Sequence, residues 1–381
     1  MRILNSPFWR SVGIISGLII GAGLFALPYS VNVSGVLWSL VNLFLAFFAV
    51  LSMHLAYGEV VTNTETLHRL PGYIKIYLGK FLGKLGKFSA LLGFNAVILV
   101  YVILGGAFLS NIFGGSQFWW SLVFLFAGSI ILFLSHAKEV GILNLILMIP
   151  FIGIISYIAF LSAQKGSLSN ISFLGRDPLF SFGIFMFAFT GMSAIADSRE
   201  IFLGQKNIEA AKNLRSSSIF GTILPLVLYI FFIVGVLMIS GDITTEDAIS
   251  GLSGILGNKI LILGALMGFL ATFTSYVAIS YDLKKVYELD LAKSKNLSWV
   301  LAGILPIFLF LIAPKDFIKI ISIVGGLFVA FDGIFVIFIL RKMRKAGQST
   351  IRFLNFGKVH QIALLAIFTL SIVYEFMYQI F

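Results

Sequence analysis

The chain of 381 residues is a succession of apolar runs, each about as long as a bilayer is thick. A helix needs ~20 mostly apolar residues to cross the hydrocarbon core. The runs predict eleven spans, at roughly 11–33, 37–60, 88–112, 118–136, 141–163, 179–200, 217–240, 259–282, 298–313, 317–340 and 359–380. The longest connections are 61–87, 201–216, 241–258, 283–297 and 341–358, and none has the length of a folded domain. Charged residues make up only 11% of the chain, against about 25% in soluble domains, and Phe alone occurs 40 times. Such a chain has too few polar groups to cover a water-facing surface, which excludes a soluble enzyme and a disordered scaffold. The first run is too long for the apolar core of a signal peptide and leads into further spans. The expectation is an all-α polytopic membrane protein with one transmembrane domain over 1–381.

The net charge of +11 does not point to nucleic acid, because the basic residues sit between the spans rather than along one soluble face. Their distribution gives an orientation instead. With the N-terminus in the cytoplasm, only Lys165, Arg176, Lys259, Lys315 and Lys319 fall outside, and the other 22 of the 27 Lys and Arg fall inside. The same rule puts Phe381 outside; the plasma membrane is the expected location. Trp9, Trp38, Trp119, Trp120 and Trp299 fall at span ends, where indole prefers the interface. The stretch 73–87, YIKIYLGKFLGKLGK, alternates apolar residues with Lys at helical spacing and reads as a helix lying on the inner membrane surface. Cysteine is absent, so there is no disulfide or thiolate chemistry. Four His without Cys argue against structural zinc. No hydrolytic, redox or phosphate-loop pattern occurs. No enzyme, cofactor or nucleic-acid partner is expected.

A weak internal repeat organises the spans. The first span carries Gly21-Ala22-Gly23, and the sixth carries Thr190-Gly191-Met192-Ser193, about 170 residues later. Five spans per unit is odd, so the second unit enters the membrane from the opposite side. Repeat one would cover about 11–163, repeat two about 179–340, with the eleventh helix at about 359–380 as an appendage. Paired Gly-interrupted spans at matching positions point to a binding site at the membrane midplane. Two Gly with Pro28 beyond them weaken the helical ladder. Unwinding there frees N–H groups that suit a carboxylate and C=O groups that suit a cation or an ammonium. Close helix packing through small residues is the competing reading.

The stretch from Gly21 to Tyr29, GAGLFALPY, resembles the first-helix signature of the amino acid/auxin permease family, in its aromatic amino-acid permease branch of the amino acid–polyamine–organocation superfamily. Phe187-Ala188-Phe189-Thr190-Gly191 with Glu200 beyond it is similar to that family's sixth-helix pattern. Ala196 stands where the family often has Pro. The resemblance covers essentially the whole chain. It implies a LeuT-like fold with helices 1 and 6 discontinuous, transport of a small amino acid driven by a cation gradient, and rocking of helices 1, 2, 6 and 7 against 3, 4, 8 and 9.

On this reading Gly21, Ala22 and Gly23 hold the substrate carboxylate. The carbonyls of Thr190, Gly191, Met192 and Ser193 hold its ammonium, Phe187 and Phe189 flank its side chain, and Tyr101 donates to the carboxylate. In the eighth span Ala271-Thr272-Phe273-Thr274-Ser275 brings two hydroxyls and the Ala271 carbonyl within one turn. With the carbonyls of Gly17 and Ile20 these make five oxygens for a small hard cation, and the spacing resembles the second sodium site of the LeuT-like fold. The alternative is that Thr274 and Ser275 only bond their own helix. Sodium is the expected coupling ion, with protons as the alternative. Asp332 inside the tenth span is a candidate proton carrier or gate partner, weighed against a packing role. Asp197 and Glu200, beside Arg199, are candidates for an inner gate. His54 and Glu59 read as solvated residues near the inner end of the second span. A passive facilitator and a non-transporting amino-acid sensor are the readings from other classes.

Overall fold

The computed structural model describes residues 6–134, 137–313, 315–355 and 357–380. The end of the fourth expected span, at 136, and the terminal Phe381 lie outside these residues. The first span is broken: α1 (Pro7–Ile19) and α2 (Gly23–Ser34) meet at a bend of 50°. A long α3 (Val36–Asn63) follows, then a short α4 (Leu70–Leu78) and the third span α5 (Lys80–Phe113). Next come α6 (Gln117–Leu134) and α7 (Ala137–Lys165). The sixth span is also broken, into α8 (Phe180–Phe189) and α9 (Met192–Ile201). After it come α10 (Asn207–Ser240), the short α11 (Ile249–Leu256) and α12 (Asn258–Lys285). The next span is made of α13 (Lys295–Gly303) and α14 (Leu305–Ile312). The tenth is α15 (Phe317–Ile323), a π-helical turn (Val324–Val329) and α16 (Ala330–Lys345), and α17 (Lys358–Ile380) ends the chain.

Among the described residues nine helical runs are long and apolar enough to cross a membrane, and the bent α1–α2 pair makes ten. The remaining expected span is the shorter apolar helix Gln117–Phe133, so length and composition alone give nine or ten rather than eleven. Large side chains such as Phe44, Phe81, Phe126 and Ile149 are 64–74% exposed on the outside of the bundle. In water such a surface would associate; here it is the face that meets lipid. Burial also sorts the helices. The α8–α9 run is 83% buried, whereas α17 is 22% buried, so the broken spans form the centre and the last helix lies at the rim.

The stretch 73–87 departs from the single interfacial helix expected of it. Gly79, at φ 98°, divides it. Before Gly79, α4 buries Tyr73 and Ile74 in the bundle, and after it Lys80 opens α5, which continues into the membrane. The alternation of Lys and apolar residues reflects two helices sharing a corner. In the second half of span six, Ala196 lies buried in a helix that runs unbroken from Met192 to Ile201.

Candidate substrate and cation site

The two breaks meet. An added side chain at Gly23 would lie 2.7 Å from the Ala188 Cα, and one at Gly191 would lie 2.7 Å from Ile19 Cγ1. Each glycine is therefore where one broken span touches the other, and no larger residue fits. In the first break the N–H of Gly21 turns to the carbonyl of Ile19 at 2.8 Å, so the Gly17 carbonyl loses its usual donor four residues on. In the second break Thr190 is extended and the N–H of Gly191 leaves the backbone to donate to Nε2 of His54 at 3.1 Å.

Neighbouring helices hold this geometry. The Tyr229 hydroxyl on α10 lies 2.5 Å from the Ile19 carbonyl and 2.9 Å from the Ala188 carbonyl, so one buried O–H serves the loose ends of both breaks. His54 Nδ1 lies 3.0 Å from Oγ1 of Thr222, which donates to the Ser218 carbonyl at 2.8 Å. His54 is fully buried, which corrects the expectation of a solvated residue. So is Glu59: it accepts two bonds from Arg344 (2.7 and 2.6 Å), one from Ser349 (2.6 Å) and one from the N–H of Phe353 (2.9 Å). It ties the loop after α16 to the inner end of α3. Both residues are reached by segments more than 130 positions away in sequence, which a helix-by-helix reading does not pair.

A cavity of about 80 Å³, measured as room for the centres of water molecules, opens beside the second break. Thr190, Gly191, Met192 and Ser193 line one wall, Gly93, Phe94 and Val97 of α5 another, and the π-helical turn a third. Its inner end is lined by Arg69, Asp282 and Asp332. Of the expected substrate residues, the cavity takes the four of the second break. Gly21 instead packs beside Ser275 Oγ and the Tyr101 hydroxyl, and Gly23 packs beside Ala188 and Phe187. Phe189 turns away, into a ring cluster with Phe47 (5.5 Å between centroids) and Tyr229 (5.3 Å).

Asp332 faces this cavity, and no side chain among the described residues pairs with it. The helix extends to Lys345, which puts Asp332 roughly three and a half turns from its C-terminal end. Asp197 and Glu200 do form an ion-pair network, but their partner is Arg69 rather than the adjacent Arg199. The buried Arg69 pairs with Asp197 and with Asp282, and its Nη1 lies 3.4 Å from Glu200. Burial opposes the charge on this guanidinium; the carboxylates of Asp282, Asp197 and Glu200 outweigh that and hold its pKa above arginine's ordinary value. Sequence reasoning placed Arg69 among the loop cations and passed over Asp282, whose position ahead of Lys284 and Lys285 looks like an ordinary interfacial charge. The network joins the stretch before α4, α9 and α12, and two of its members, Arg69 and Asp282, line the cavity.

The five expected cation ligands also come together. Gly17, Ile20, Ala271 and Thr274 line a small cavity of about 20 Å³, and Ser275 Oγ lies 3.3 Å from the Gly17 carbonyl. Thr274 donates to the carbonyls of Leu270 (3.0 Å) and Ala271 (3.2 Å), which spends its proton and leaves oxygen lone pairs available. The Gly17 carbonyl, which accepts from Ser275 Oγ and keeps a second lone pair, and this hydroxyl are the oxygen chemistry a hard cation takes.

An all-helical membrane bundle with two adjoining broken spans is the architecture of the LeuT-like secondary transporters. Solved structures with this fold include two transporters. One is MhsT in complex with L-phenylalanine (TM-score 0.71, 15% identity, 97% of each chain covered). The other is the Eremococcus coleocola manganese transporter with an aromatic bis-isothiourea substituted compound (TM-score 0.70, 15% identity, 98% of this chain and 87% of that one). At this identity the likeness concerns the fold. A search of the curated proteins finds no match. The chain belongs to the tryptophan/tyrosine permease family, whose pattern matches residues 5–375. It is thus a multi-pass membrane protein of a permease family, not an enzyme.

Proposed function

We propose that the protein is a secondary active transporter that imports an aromatic amino acid, tryptophan or tyrosine foremost, across the plasma membrane by alternating access, with sodium as the coupled ion. The observation that carries this reading is the meeting of the two broken spans beside a cavity lined by Thr190, Gly191, Met192 and Ser193. Broken helices at the midplane present backbone dipoles to a zwitterion without the cost of burying a fixed charge. The family membership and the phenylalanine complex of a transporter with the same fold support an aromatic substrate. The wider kinship with the amino acid/auxin permeases rests on the GAGLFALPY stretch.

In this account the carbonyls of the second break take the ammonium, and the N–H groups that open α2 take the carboxylate, with Tyr101 nearby. Phe187 flanks the bound side chain. Sodium, a co-substrate, is held by Gly17, Ile20, Ala271, Thr274 and Ser275, beside the first break, so that its binding and the closure of that break favour each other. The repeats run over about 11–163 and 179–340, the N-terminus is cytoplasmic, and the Arg69 network is the inner gate. The second reading, proton coupling, has its own support: Asp332 lines the cavity with no side-chain partner among the described residues. Uptake of radiolabelled amino acids into proteoliposomes, under a sodium gradient at fixed pH and under a pH gradient without sodium, tests both. Accumulation driven by the pH gradient alone would overturn sodium coupling.

A further inference from the structure

We infer that His54 is a positioning residue for substrate binding: it holds the sixth-span break in its binding shape by accepting the N–H of Gly191, in a tautomer that Thr222 dictates. The inference rests on the reading of that break as the substrate site. The proton bookkeeping starts on α10. The Thr222 hydroxyl has one proton and donates it to the Ser218 carbonyl at 2.8 Å. Toward His54 Nδ1, 3.0 Å away, its oxygen then acts only as an acceptor, so Nδ1 carries the ring proton. Nε2 is left with a lone pair, and that lone pair receives the Gly191 N–H at 3.1 Å. Both side chains of this relay, His54 and Thr222, are fully buried, so bulk water does not reach them to substitute.

The consequence for the site is directional. Gly191 caps the start of α9, one residue beyond the Thr190 cap of α8, and its N–H has no helical carbonyl to meet. Unsatisfied, this buried N–H would compete for another acceptor, and turning toward one would swing the Thr190 carbonyl of the same planar peptide, a group assigned to the ammonium, out of place. His54 removes that competition. The imidazole fixes the orientation of the Gly191 peptide while touching no substrate.

Four variants separate this role from ordinary packing. Gln places a side-chain oxygen where Nε2 stands, whereas Asn places its polar atoms at the Nδ1 position only. His54→Gln should therefore bind tritiated substrate within about threefold of wild type, and His54→Asn should bind it roughly tenfold or more weakly, as for a lost buried hydrogen bond. Thr222→Val, which frees the tautomer, should weaken binding, and Thr222→Ser should restore it. The probe is tritiated tryptophan or tyrosine, whichever the wild type binds more tightly, and the readout is the equilibrium Kd on purified protein beside its melting temperature. A packing role predicts instead that Gln and Asn lower the melting temperature alike and leave Kd unmoved; that result overturns the inference. Val97→Trp, which fills the cavity from α5, separates the inference from the reading beneath it. If Val97→Trp abolishes binding and the Gln and Asn variants bind alike, the His54 role alone falls. If Val97→Trp binds as wild type, or the wild type binds neither probe, the site reading and the inference fall together.

Discussion

Thr274 spends its hydroxyl proton on its own helix, and that habit of threonine in membrane spans is compatible with cation binding, because the lone pairs stay free for the 20 Å³ cavity. Thr274→Val keeps the shape and removes the oxygen. Sodium dependence of uptake should weaken by about 1–3 kcal/mol, roughly 5- to 150-fold in apparent affinity, and substrate affinity should fall with it, since coupling is reciprocal. Asp332→Asn should leave sodium dependence intact; the reverse pattern, with Thr274→Val silent, would transfer the coupling role to protons at Asp332. Arg69 offers a second residue-scale test. Arg69→Gln strips Asp197 and Asp282 of their cation, a change that costs about 3–5 kcal/mol at a buried pair and weakens the closed inner end. The chain has no cysteine, so Ser89→Cys, on the cavity wall, gives a clean reporter. Its labelling by a membrane-impermeant maleimide from the cytoplasmic side should rise at least tenfold in the Arg69→Gln background; unchanged labelling would show that the network is not a gate. At this scale the sequence was readable where a residue type is costly in lipid or placed by a local motif. Thr274, Ser275 and Asp332 announce themselves that way. Arg69, Asp282, Thr222 and Tyr229 do not, because their meaning comes from partners on other helices.

Among the elements, the two broken spans have the shortest local explanation. Gly21-Ala22-Gly23 and Thr190-Gly191 give up the helical ladder within single turns, and the structure breaks at those residues. Their contact is what forbids larger side chains. Gly23→Leu and Gly21→Leu drive a side chain into Ala188 and into Ser275, respectively, and should abolish substrate binding while the outer helices keep the protein folded. Circular dichroism of wild-type shape with binding lost is the expected pair of results; wild-type binding in both variants would move the site elsewhere. The elements that a local reading misjudges are those shaped by neighbours. The 73–87 stretch looks amphipathic along its whole length, yet Gly79 turns it from α4 into the third span. The loop after the tenth span looks solvated, yet Glu59 and Arg344 fasten it to α3. Hydrophobic periodicity reports which residues avoid water and is silent on which helix shields them.

For the molecule as a whole, apolar run length decides most of the architecture, because the bilayer constrains a chain more tightly than water does. The number of crossings is the exception, since the helix Gln117–Phe133 is shorter than the others. A tag placed beyond residue 380 should label from outside and one at the N-terminus only from the cytoplasm; labelling from the same side would mean an even number of crossings and would overturn the count of eleven. The central claim is that this bundle converts an ion gradient into amino-acid accumulation. Purified protein in sodium-loaded or sodium-free proteoliposomes, given tritiated tryptophan or tyrosine, measures it directly. With sodium high outside and low inside, the internal concentration should rise severalfold above the external one and collapse when the gradient is dissipated. Equilibration without accumulation, under sodium and pH gradients alike, would make the protein a passive facilitator and contradict the account.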